Sequence, residues 1–390
     1  MIQTHELCQM RILNISSYTW AIGGPARVIY DHSSVAIARG HQVTILSPIS
    51  LFDEVYPVPD GVELIICKRT TPISNFFPEF SIEAYKYLKN HIHEFDIIHC
   101  HGIFHFGSIA PFLLNTKIPV AITLHGLLDV WALNNGAFKK KVFSWLIQRR
   151  LLQKAALVHI YNSKEKVDLE KYLGRNHQNV VIIPNGIRLT EMAILPPKNR
   201  FRNQFKISLD KKIVLFMGRI NIKKGLDLLL PAFKKYSESY QDSVLVIAGP
   251  DDGFQSEVES FITKNSLQNQ ILLVGMLTGE TKKAAFSDAT VFTLPSYSEG
   301  FSIAVLEAMA ARVSALVSNQ IGFDGNIEKY NAAFEAELTV DGIYSGLSTL
   351  LQNESYRNEV AENAHKMVLE LYDVEVVATE LLKAFEAIVR

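Results

Sequence analysis

Short apolar runs alternate along the whole chain with longer segments in which apolar residues recur every three or four positions. That rhythm predicts βα units, with strands buried on both faces of parallel sheets and amphipathic helices covering them. In the first half the expected strands are "RILNIS", "HQVTILSP", "VELIIC", "FDIIHC", "PVAITLH", "AALVHIY" and "VVIIP". A helix is expected from about Ala26 to Arg39, stopped by Gly40. Pro184, Asn185 and Gly186 break the rhythm, and "LPPKNRFRNQF" reads as a polar connector. The pattern then restarts with "KKIVLFMG", "SVLVIAGP", "QILLVGM", "ATVFTLPS" and "VSALVS", again separated by helical segments. The expectation is an α/β protein with two doubly wound parallel-sheet domains, 1–190 and 191–371, facing a central cleft. The last segment, 372–390, has helical apolar spacing and is expected to pack back on the N-terminal domain.

Composition narrows this picture. A length of 390 residues suits two domains with separate cores. Lys and Arg number 39 against 40 Asp and Glu, so no global field points to a nucleic-acid partner. Cys8, Cys67 and Cys100 are too scattered for a disulfide framework or a zinc cluster, which argues for a reducing compartment. No apolar run approaches the roughly 18 residues needed to cross a bilayer, and the N-terminus lacks a basic region followed by an apolar one. A cytoplasmic protein is expected, with peripheral attachment at the inner face of the membrane left open.

The candidate chemistry lies in "PSYSEGFSIAVLEAMA", residues 295–310, where a strand feeds through a loop into a helix. Ligands of open α/β sheets gather at such carboxyl ends. Glu299 falls in the loop and Glu307 in the helix, so both carboxylates can face one site. Between them the amides of Phe301, Ser302 and Ile303 open a helix, and a helix N-terminus suits a phosphate. A diphosphate flanked by ribose and hexose, that is a nucleotide sugar, would satisfy all three features. In "FMGRINIKKGLD" a turn at Gly218 is followed by Arg219 and Lys224, a guanidinium fork and an ammonium suited to a diphosphate leaving group. The plainer alternatives are a solvated helix residue for Glu307, a turn or cap for Glu299 and a solvated turn for Lys223 and Lys224.

Taken with "GGPARV", "TLHG", "NSKEK", "IPNGI" and "AGP", these segments make the chain resemble the family 4 retaining glycosyltransferases, which have the GT-B fold of two Rossmann-like domains. The two glutamates resemble that family's E-x7-E signature. The resemblance implies that Arg219 and Lys224 neutralise the departing nucleoside diphosphate, that Glu299 lies beside the donor sugar, and that Glu307 holds the ribose hydroxyls. It implies that Gly23 and Gly24 form a loop closing over the phosphates, although a plain βα turn would also explain them. It places His125 near the reacting sugar and the base against the backbone at Met276 and Leu277. It further implies a front-face reaction with no enzyme nucleophile and no metal or other cofactor. Asp251 and Asp252 lack the D-x-D spacing of metal-using transferases. Two segments depart from the family pattern: "AARVSALVS", with Arg312 and no proline, and "NQIGFDGNI".

For the acceptor side, "HGLLDVWALNNGAFKK" offers Asp129, Trp131 and Asn134, with Trp131 open to a core role. His99 and His101 share a strand face, but lacking a third ligand they suit an acceptor-side or packing role better than a metal. The basic, amphipathic segment 138–157 can lie on anionic lipid or be an ordinary domain helix. The resulting expectation is a hexosyltransferase using UDP-glucose or a similar UDP-hexose as donor and a saccharide or lipid-linked saccharide as acceptor. Its nearest resemblance is to bacterial enzymes of exopolysaccharide or envelope polysaccharide assembly, including those of cyanobacterial heterocyst type. A GT-B nucleotide-sugar epimerase and a non-catalytic GT-B partner subunit are the alternatives.

Overall fold

The structure, a computed structural model, describes residues 9–22, 24–128 and 147–389. They form two units: one extends to Gly186 and includes the final helix from Val374, and the other spans Ile187–Asp373.

The first unit is built on seven parallel strands: β1 (Arg11–Ile15), β2 (Gln42–Ile49), β3 (Glu63–Lys68), β4 (Ile97–His101), β5 (Val120–Thr123), β6 (Leu157–Ile160) and β7 (Val180–Ile182). Their order is β3-β2-β1-β4-β5-β6-β7. The winding reverses between β1 and β4, where Asn14 lies in register with His99. Because the central strands β4, β5 and β6 are covered on both faces, every residue in them is buried, which explains why they read as unbroken apolar runs. The helix α1 (Gly24–Ala38) supplies part of that cover through Ala26, Val28, Ile29, Val35 and Ala36. The final helix, Val374–Val389, seals the same face: Val377, Leu381, Leu382 and Phe385 share one core cluster with Met10, Ile12, Ala36, Val43 and Ile97. Burying one such side chain contributes roughly 1.5–3 kcal/mol, enough to hold a helical segment that follows the second unit in the chain.

In the second unit six parallel strands follow the order β10-β9-β8-β11-β12-β13. They are β8 (Lys212–Met217), β9 (Ser243–Ala248), β10 (Ile271–Gly275), β11 (Val291–Leu294), β12 (Ser314–Ser318) and β13 (Phe334–Ala336). The last was missing from the periodicity reading, because three residues carrying Glu335 at a sheet edge leave no apolar run to detect. Here the winding reverses between β8 and β11, with Val214 beside Val291. Three helices bear on the site: α2 (Leu226–Ser239) after β8, α3 (Gly279–Asp288) after β10 and α4 (Ile303–Ala310) after β11.

Candidate active site

The switch point of the second unit lies between β8 and β11, and the loops that leave these two strands carry the candidate residues. The β8 loop is pinned from both sides. On one side Gly249, after β9, crosses so closely that a Cβ would lie 1.8 Å from the Gly218 carbonyl oxygen, so only glycine fits. That crossing brings the Arg219 guanidinium 2.7 Å from Asp252 Oδ2. On the other side Asn221 accepts from the Lys223 amide and caps a short 3-10 turn, Ile222–Lys224, which ends at Gly225. Gly225 has φ +74°, and a Cβ there would meet the Pro295 carbonyl oxygen at 2.0 Å. The β8 loop therefore abuts the β11 loop, the Tyr297 amide donates to the Lys223 carbonyl at 2.9 Å, and the Lys224 ammonium pairs with Glu299.

Glu299 is itself fixed by backbone: its amide donates to Gln320 O and its carbonyl accepts from the Gly322 amide, tying it to the loop after β12. Ser302 then caps α4, its hydroxyl accepting from the Val305 amide. Ser302 and Ile303 stand at that helix entrance as expected, and Phe301 precedes them with its ring committed to the core against Phe323 and Tyr372. Within α4, Glu307 Oε1 lies 2.5 Å from Lys282 Nζ, a residue of α3 that the sequence reading did not single out. Nothing in "GETKK" separates it from a solvated surface lysine. Met276, half-exposed, and Leu277, buried, occupy the connection from β10 to α3. The arrangement is thus a set of three ion pairs, Arg219–Asp252, Lys224–Glu299 and Lys282–Glu307, around a helix entrance. Each cation is paired with a carboxylate.

The two departing segments also have physical accounts. Arg312 adopts φ +58° and its guanidinium pairs with Glu362, which ends α4 without a proline. Glu299 and Ile321 form a parallel bridge, so "NQIGFDGNI" supports the first glutamate. Asp251 accepts from the amides of Gly253, Phe254 and Gln255 and thereby organises a turn, while Asp252 is the partner of Arg219. Among the described residues no three His, Cys, Asp or Glu side chains gather to hold a metal.

The first unit supplies the remaining residues. Gly24 begins α1, where a Cβ would meet no atom within 4 Å. Gly23, Asp129, Trp131 and Asn134 lie outside the described residues. Of the basic segment 138–157, the part to residue 146 does too. The part beyond includes the helix Arg149–Lys154, with Leu152 buried and Arg149 stacked 5.3 Å over the Tyr172 ring. His125 follows β5 with φ +53°. Its Nε2 is 3.1 Å from His101 Nδ1 and its Nδ1 is 2.5 Å from the Tyr161 hydroxyl. His101 is buried, and its other nitrogen lies 3.1 Å from the Asn14 amide, so both of its nitrogens are engaged inside the unit. Burial pushes His125 down to about 3 and His159 down to about 4. His105 goes the other way: burial would lower it, but Glu79 at 3.0 Å raises it. Asn14, Thr123, His159 and Tyr161 were not anticipated, although a histidine near the end of three successive strands, "IIHCH", "TLH" and "LVHI", is a signal that the sequence carries.

Comparison with known proteins follows the same division. Residues 22–191 match the family described as Glycosyltransferase Family 4, and residues 197–367 that described as Glycosyl transferases group 1. An uncharacterized glycosyltransferase of Methanocaldococcus jannaschii, MJ1607, is 30% identical over 211 residues, covering 53% of this chain and 54% of that protein. The phosphatidyl-myo-inositol mannosyltransferase of Mycobacterium tuberculosis is 24% identical over 398 residues, 97% of each chain. Among solved structures, sucrose-phosphate synthase from Thermosynechococcus elongatus superposes with a TM-score of 0.80 at 18% identity, covering 96% of this chain and 97% of that one. Anabaena HepE in complex with UDP and glucose gives 0.76 at 14% identity, covering 97% and 100%.

Proposed function

The chain belongs to the family 4 glycosyltransferases with the GT-B fold, and on that premise we propose that it transfers a hexose from UDP-glucose or a similar UDP-hexose to a growing saccharide, free or lipid-linked, with retention at the anomeric carbon. The observation that carries this reading is the set of three ion pairs at the β8/β11 switch point. A diphosphate entering there meets Arg219 and Lys224 and takes the place of carboxylates as their counter-ion. Glu299, released from Lys224, is then available to the hexose hydroxyls, and Glu307 to the ribose. Support for a UDP donor comes from HepE, whose solved complexes hold UDP, glucose and UDP-glucose.

The chemistry assigned to these groups is leaving-group stabilisation. The bond from the anomeric carbon to the diphosphate oxygen breaks while a bond to the acceptor oxygen forms on the same face. The acceptor's proton passes to the departing phosphate. No side chain has to attack the sugar, so the work of the protein is to position the reactants and to stabilise charge developing on the diphosphate. No metal is assigned to the reaction: Arg219 and Lys224 supply the positive charge. Acceptor recognition is assigned to loops at the carboxyl ends of the first unit's strands.

Calorimetric titration with UDP, UDP-glucose, GDP-mannose and ADP-glucose, without added metal, tests the reading. Saturable binding of the uridine ligands, lost in both Arg219→Ala and Glu307→Ala, is expected. Binding of none would overturn it and favour a non-catalytic partner subunit, and turnover of the donor sugar without an acceptor would favour an epimerase.

A further inference from the structure

Eight groups in the first unit form an unbroken chain, buried except at the partly exposed His125. From the Tyr161 hydroxyl it runs to His125 (2.5 Å), on to His101 (3.1 Å), the Asn14 amide (3.1 Å) and His99 (3.1 Å), then Thr123 (2.6 Å), His159 (2.9 Å) and the Ile183 carbonyl (2.8 Å). Its far end fixes its direction, because a carbonyl only accepts. His159 must donate from Nε2, which leaves Nδ1 to accept the Thr123 hydroxyl proton. Thr123 has no second proton and therefore accepts from His99 Nε2. A neutral His99 then needs a donor at Nδ1, and among the described residues its partner there is the Asn14 amide. The oxygen placed at that position cannot donate, whereas the NH2 group of the same amide can, and the two ends of an amide are alike in shape. With the amide turned, its two protons go to His99 Nδ1 and His101 Nε2. His101 donates from Nδ1 to His125 Nε2, and His125 donates from Nδ1 to Tyr161. The wire thus ends on the Tyr161 oxygen as acceptor, beside the Asn185 side chain.

The opposite arrangement, with Asn14 Oδ1 as shared acceptor, leaves the Thr123–His159 contact without a proton. Burial keeps these imidazoles neutral: His99 and His101 are lowered well below the ordinary value, with His125 and His159. Beside the wire is a cavity of about 20 Å³ lined by Asn14, His32, Ser33 and His99 together with apolar residues of the core, among them Leu381 and Phe385. Both His32 nitrogens and the Ser33 hydroxyl are buried there without partners among the described residues.

We propose that this chain is a one-way hydrogen-bond wire that locks His125 as its Nδ1–H tautomer, making His101, Asn14 and Thr123 positioning residues for sugar transfer. With both nitrogens engaged inward, the ring is an anchor for the left-handed turn at His125 and Gly126, φ +53° and +72°, and not an acid or a base. The link to transfer rests on the functional reading above; the tautomers do not.

The test is long-range 1H–15N correlation on the full chain labelled at histidine. Nδ1–H at His101 and His125, with Nε2–H at His99 and His159, is expected; Nε2–H at His101 and His125 would overturn the proposal. Thr123→Val removes a hydroxyl that does not touch the His125 ring. It should mix the His125 tautomers and lower kcat roughly ten- to a hundredfold with the donor KM unchanged. Thr123→Ser keeps the hydroxyl and should restore both. His125 tautomers indifferent to Thr123→Val would refute the wire. Mixed tautomers with unaltered kcat would leave the wire standing and refute its part in transfer.

Discussion

The two units share one architecture, a parallel sheet with a winding reversal, yet they furnish their carboxyl ends with opposite electrostatics. All but one of the twelve histidines precede Gly186, and the first unit joins four of them, His99, His101, His125 and His159, with Asn14, Thr123 and Tyr161 into a net without formal charge. The second places three ion pairs around a helix entrance, of which Arg219–Asp252 is exposed and the other two are largely buried. A neutral buried net holds one geometry, because every lost contact strands a polar group in a low dielectric. The exposed Arg219–Asp252 pair exchanges partners at little cost, because solvent compensates each charge, whereas the two buried pairs exchange only when an anion takes over as counter-ion. One arrangement suits positioning, the other suits capture.

Acid should separate the units most strongly. A histidine with a depressed folded value binds fewer protons folded than unfolded, so its contribution is fully present above about pH 6.5 and is lost as pH falls toward the folded value. His32 and His125 are lowered to about 3 by burial and His159 to about 4, so each contributes stability of the order of several kcal/mol. His105, raised by Glu79, opposes this, since its contribution is lost as pH rises. Thermal unfolding followed from pH 7 to 4 should show the first unit destabilised well before the second; a joint loss would break the contrast.

A smaller but sharper effect is expected from Lys224→Ala. Removing a cation that stabilises the leaving group should lower kcat/KM by about 10²–10³, or 2.7–4 kcal/mol, while the first unit's unfolding stays where it was. An unchanged kcat/KM would deny the lysine any share in the transition state. The smallest effect belongs to Asp252→Ala. Arg219 and Asp252 are 62% and 39% exposed, so the pair should contribute under about 1 kcal/mol to stability. Freed of that competitor, Arg219 should bind UDP at least as tightly as before, read by the same calorimetry. Weaker binding would mean that Asp252 orients the guanidinium and does not merely occupy it.

Much of this was legible in the chain. The strands β1 to β12 coincide with apolar runs, the central ones because covered strands tolerate little else and the partly exposed edge strands β3, β7 and β10 because they too are mostly apolar, and β13 escaped because an edge strand of three residues need not be apolar. Ser302 and the start of α4 could be read from the strand–loop–helix order around Glu299 and Glu307. What could not be read were partners. Arg219 meets Asp252 only because Gly249 lets two loops cross, Lys282 reaches Glu307 from a different helix, and Asn14, His99, Thr123 and His159 lie on four strands brought side by side. Periodicity is a local property, recorded residue by residue, so the sequence alone determined the elements, their alternation and the charged groups at the loop ends. Pairing, proton direction and burial depend on atoms far apart in the chain, and those only the tertiary structure decided.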